Sequence, residues 1–129
     1  MKTLIAVLYV VVGVVNLLPV LGVLSTTRLQ TLYGVTLTDP NLVILMRHRA
    51  ILFGVVGALL VAAAFHPPLR AIALAAGLIS MLSFVFLAYV VGEFNSELRR
   101  VVSVDLVASV LLVAAGLLAL WSGSREAAS

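Results

Sequence analysis

The chain has 129 residues, 64% of them hydrophobic and only 10% charged, against roughly a quarter charged in an ordinary soluble domain. A water-soluble fold of this composition would leave too much apolar surface exposed, so a single domain over residues 1–129 in a lipid solvent is expected. The net charge of +3 and pI near 10.0 come from eight scattered basic residues; no basic run tracks a nucleic-acid backbone, which excludes that partner and points to anionic lipid headgroups.

In chain order, four apolar segments predict an all-α integral membrane bundle of four antiparallel transmembrane helices, with spans at about 3–24, 41–65, 69–92 and 98–122. The first is uncharged and, as helix, about 33 Å long, enough to cross a bilayer core of roughly 30 Å. Lys2 and the apolar run after it imitate a signal peptide, but the run is too long and no small-x-small cleavage site closes it. A retained first helix is expected. Between spans one and two, Leu29, Leu32 and Tyr33 fall at helical spacing and suggest a short interfacial segment. Asp39-Pro40 reads as an N-cap with proline at the first helical position.

The second span carries Arg47-His48-Arg49 about one and a half turns inside its start, a costly placement that marks a candidate site. His66-Pro67-Pro68 breaks the chain before span three. Gly92 is placed to close span three, and Asn95 or Ser96 to cap span four, with Arg99 and Arg100 at its start and Asp105 inside. The last two connections are short, so neighbouring helices are expected to run antiparallel. Small residues recur every four positions at Ala50, Gly54, Ala58 and Ala62, and again at Ala73 and Gly77 with Ser80 nearby. Such rows let backbones approach, inside the bundle or across a homo-oligomer contact. Leu59–Ala63 echoes Leu111–Ala115, a weak hint of duplicated helix pairs.

Counting 1.5 Å per residue puts Arg47 and Arg49 roughly 8–12 Å inside from the first-connection side, with Asn16 and Asp105 at about the same level. Tyr89 and Glu93 close the third span there. The expected polar cluster is therefore Asn16, Arg47, His48, Arg49, Tyr89, Glu93 and Asp105. Residues two apart on a helix point about 200° from each other, so Arg47 and Arg49 cannot both face one pocket. One is expected to turn inward to Asp105 or Glu93, as a structural ion pair or as part of a site, and the other to snorkel. Asn16 with Pro19 also reads as repair of a helix interrupted by proline.

No catalytic residue, metal ligand set or cofactor is assigned. The two histidines are separated by roughly 25 Å along one helix, cysteine is absent, and neither a nucleophile elbow nor a phosphate-cradling loop occurs. The expected function is binding of a lipid or hydrophobic small molecule, or service as an accessory subunit of a larger membrane complex. The alternatives are a small membrane enzyme using His48 with Asp105 or Glu93, or an oligomeric transporter. Lys2, Arg70 and Arg125 mark one side and Arg28, Arg99 and Arg100 the other. The positive-inside count is thus balanced unless Arg47 and Arg49 tip it towards cytoplasmic first and third connections.

Leu32-Tyr33-Gly34, Asp39-Pro40-Asn41, Leu45-Met46-Arg47-His48-Arg49-Ala50 and Phe53-Gly54, followed by Gly92-Glu93-Phe94-Asn95 and Asp105, resemble a family of small bacterial four-helix inner-membrane proteins of unknown function, DoxX-like in outline. The resemblance covers most of the chain and implies a multi-pass protein of the bacterial inner membrane without established catalytic residues. Relatives are often labelled phosphopantetheine adenylyltransferase; this sequence lacks the H-x-G-H motif and the strand–helix alternation of that soluble enzyme.

Overall fold

A computed structural model describes residues 1–129 as helices without strands. Helix α1 spans Lys2–Leu17 and continues as a 3-10 segment over Leu18–Val23; α2 spans Thr26–Tyr33, α3 Pro40–Phe65, α4 Arg70–Val91 and α5 Ser96–Ala128. Four of these units, the first counted with its 3-10 extension, are long and apolar enough to cross a membrane. The last runs to Ala128, beyond the expected end at 122, because nothing in Ser122–Ala128 stops a helix.

The boundaries follow from local chemistry. Asp39 Oδ1 accepts from the Asn41 amide at 2.9 Å, so the expected cap forms, and Asn95 Oδ1 accepts from the Leu98 amide at 2.8 Å, which makes Asn95 rather than Ser96 the cap of α5. Pro19 has no N–H to give the Val15 carbonyl one turn back. The Leu18 amide takes that carbonyl instead, and the helix tightens into its 3-10 extension. Asn16 is therefore not the repair: its amide donates to the Val12 carbonyl at 2.9 Å and reaches Met81 Sδ at 3.7 Å.

The four long helices pack in a ring in the order α1, α3, α4, α5 and back to α1. Helices α3 and α5 stand across the diagonal rather than side by side. Lys2 Nζ lies 3.1 Å from Glu126 at one end of the bundle, where the Tyr9 hydroxyl also donates to the Arg70 carbonyl. At the other end α2 folds against α5, and Tyr33, Leu29, Leu37 and Ala50 form a small apolar cluster there. The main core lies between, with Ile5, Tyr9, Leu60, Met81 and Leu112 fully buried.

Close backbone approach occurs, but on a different face of α3 from the one expected. A Cβ on Gly57 would come 2.8 Å from the Gly13 carbonyl oxygen, and one on Gly13 would come 3.0 Å from that of Gly57. Ala58, inside the expected row, is exposed. The buried face of α3 follows Ala50, Phe53, Gly57, Leu60 and Ala64, steps of three and four, because a 3.6-residue helix drifts off a strict four-residue row. On α4 the expected small residues Ala73 and Gly77 are buried, Gly77 against Leu112 and Leu60.

Candidate functional site

Asp105 is 7% exposed on α5. Its Oδ2 is the one buried side-chain polar atom in the chain without a hydrogen-bond partner. It lines a cavity of about 290 Å³ at the end of the bundle where α2 folds in, with Asn16, Tyr33, Phe53, Glu97 and Arg100 among its walls. Val15, Leu18, Pro19, Val101 and Val104 supply an apolar lining. The volume is close to the lower bound of about 300 Å³ for small-molecule sites.

Five elements build this space. Helix α5 presents Glu97, Arg100, Val101, Val104 and Asp105, whose spacing of three and four puts them on one face. Helix α1 and its 3-10 extension bring Asn16 and Pro19, and α3 brings Phe53. Helix α2 brings Tyr33 and is held at both ends. Ser25 Oγ accepts from the Arg28 amide at the start, and Gly34 closes the end at φ 63°. The Asn95 amide then donates to the carbonyls of Tyr33 and Gly34, both at 2.9 Å, pinning α2 to the start of α5. A Cβ on Gly34 would lie 2.9 Å from that Asn95 nitrogen and 2.7 Å from Glu97 Oε2. Burial raises the Tyr33 hydroxyl above the usual tyrosine pKa, with Arg49 drawing it down and Asp105 pushing it up.

Arg49 is the arginine of the triplet that turns inward, yet it makes no ion pair with Asp105. The single pair within ion-pair distance in the chain is Lys2–Glu126. The Arg49 guanidinium lies instead over three rings, with Cζ 4.5 Å from the centroid of Phe84, 5.0 Å from Phe53 and 5.3 Å from Tyr33. Tyr33 thus shares the guanidinium stack with Phe53 and the cavity with Asp105. The physical reason is the ring order: α3 and α5 are diagonal, and α2 brings Tyr33 into that end of the bundle. A second cavity of about 320 Å³ lies between α3 and α4, walled by Arg49, Ser80, Ser83 and Phe84.

Of the expected cluster the structure puts Asn16 and Asp105 in one cavity wall, sets Arg49 over Tyr33 and Phe53 of that wall, and leaves the other four outside. Arg47 is exposed and donates to Thr26 Oγ1 at 3.1 Å, tying α3 to α2. His48 is exposed and does not line the Asp105 cavity. Tyr89 is exposed and meets Phe94 edge-on, with centroids 6.2 Å apart. Glu93 is exposed in the third connection. Similar depth along a helix is not the same direction: all four are exposed and outside the cavity wall. Tyr33, Phe53, Phe84, Glu97 and Arg100 were not expected in the site. The single-face spacing of Glu97 and Arg100 with Asp105 is a sequence signal that could have found two of them.

No group of three or more His, Cys, Asp or Glu side chains is arranged to hold a metal ion. Comparisons with protein-family models, curated proteins and solved structures found no match to this chain.

Proposed function

We propose that this protein is a multi-pass component of a bacterial inner membrane, its four spans antiparallel, and that it binds a hydrophobic small molecule without transforming it. Membrane insertion is supported by surface chemistry. Only 25 of 129 residues are buried, and the outward faces carry residues such as Ile79, Val110 and Leu120, each at least two-thirds exposed. In water, apolar patches of that extent are rare on a monomer. On motif grounds the DoxX-like family is the proposed kinship.

The observation that carries the binding reading is the Asp105 carboxylate, buried and unpartnered in the wall of a mostly apolar cavity. An unsatisfied buried polar atom costs roughly 1–3 kcal/mol, and a ligand that hydrogen-bonds to it offsets that cost. Catalysis has less support, since the histidine available as a general base faces away from this carboxylate.

Native mass spectrometry of the gently extracted protein tests the proposal. A small apolar molecule should co-purify, and Val104→Phe, which fills the cavity from its wall, should release it. Absence of any bound molecule, or one retained equally by Val104→Phe, refutes the binding site. A chemically altered molecule would replace the binding reading with an enzymatic one.

A further inference from the structure

We infer that the molecule taken by the Asp105 cavity is a hydrophobic amine, its protonated nitrogen seated against Asp105 and its apolar body lying along Val15, Val101 and Val104. This rests on the binding role proposed above and specifies the ligand's chemistry. Oδ2 is buried without a partner; with Asp105 ionised, a carboxylate only accepts hydrogen bonds, and the partner it takes is a donor.

The chain's own cations do not fill that place. Arg49 is committed to the faces of Phe84, Phe53 and Tyr33 and does not reach ion-pair distance. Arg100 shares the cavity wall with Glu97, three residues before it on the same helix, and opposite charges at that spacing offset each other. Asp105 is left with an oxygen that no donor of the chain reaches and with no cation at ion-pair distance.

The rest of the lining agrees. Tyr33 and Phe53 also wall the cavity and give the apolar body of the ligand aromatic surface to pack on. The Asn16 side-chain carbonyl offers a further acceptor. An anionic head would meet both Asp105 and Glu97 and is disfavoured. An alcohol supplies one hydrogen bond but no positive charge. At about 290 Å³ the space suits one short chain or a small ring system, not a two-chain lipid.

Three probes of equal chain length separate these heads: n-octylamine, n-octanol and octanoate, titrated against the full chain in phosphatidylcholine nanodiscs with thermal unfolding as the readout. Hydrogen bonds to charged groups predict that octylamine binds the unmodified protein about tenfold more tightly than octanol, with octanoate weakest. Asp105→Asn should erase the difference between amine and alcohol. Octanol or octanoate binding as well as octylamine, or an amine preference that survives Asp105→Asn, overturns the inference. The comparison of probes on the unmodified protein decides even if the variant does not fold. Octanol binding that is lost in Val104→Phe, with no preference for the amine, would leave the cavity's binding role standing and remove only its amine specificity. No binding of any probe removes both.

Discussion

At the residue scale, Asp105 and Arg49 reverse the expectation raised by their types and depth. A buried carboxylate and an arginine at one level predict an ion pair whose disruption costs about 3–5 kcal/mol. The carboxylate here is unpartnered and the guanidinium rests on aromatic faces. Replacing such a group by an apolar one of similar volume removes a desolvated atom rather than a contact. Asp105→Leu should therefore stabilise the detergent-solubilised protein by roughly 1–3 kcal/mol in a denaturant titration. A loss of stability would show that the charge on Arg49 depends on Asp105 despite their separation. Stabilisation accompanied by loss of octylamine binding is the signature of a residue kept for a ligand at some expense to the fold.

At the element scale, the contact of α1 with α3 depends on two glycines that allow carbonyl oxygens to take the space side chains would occupy. Gly13 and Gly57 face each other, and Leu17 packs beside Gly57. Gly57→Leu forces these helices apart and should cost about 1–3 kcal/mol or more, the range for overpacking. Ala58→Leu adds similar bulk one position along, on an exposed face, and should change stability by less than about 0.5 kcal/mol. Equal effects in the same unfolding assay would return the packing face to the row of Ala50, Gly54, Ala58 and Ala62. Helix α2 illustrates the same dependence on direction. Its spacing made it legible as a short helix, but its position was fixed by the Asn95 bridge to Tyr33 and Gly34, a contact across 61 to 62 residues of chain.

At the scale of the whole molecule, the ring order decides which groups can meet. Because α3 and α5 are diagonal, their polar residues address the interior from opposite sides, with Tyr33 from α2 sharing surroundings with both. The Lys2–Glu126 pair places the two ends of the chain together. In the proposed membrane arrangement, reporter fusions at the two termini should report the same side, and cysteines at positions 2 and 126 should cross-link in intact membranes. Termini on opposite sides would refute four spans. The pair itself is exposed, so Glu126→Ala is expected to leave topology unchanged.

Composition and periodicity by themselves determined the helical class, the four long apolar segments and the cap at Asp39, narrowed the cap of α5 to Asn95 or Ser96, and excluded Arg47 and Arg49 from facing one pocket together. These are local matters: segment length, hydropathy and the hydrogen bonds of helix ends depend on residues within a turn or two. Helix α5 continues past 122, where the fourth span was expected to end, because the chain there holds no stop signal. Only the tertiary structure decided that Arg49 rather than Arg47 faces inward, that His48, Tyr89 and Glu93 do not, and that Asp105 lines a cavity instead of closing an ion pair. Depth along a helix can be counted from sequence at 1.5 Å per residue, whereas rotation about its axis and the order of helices around the ring are set by which faces pack. Both depend on contacts between residues far apart in the chain, such as Gly13 with Gly57 and Asn95 with Tyr33.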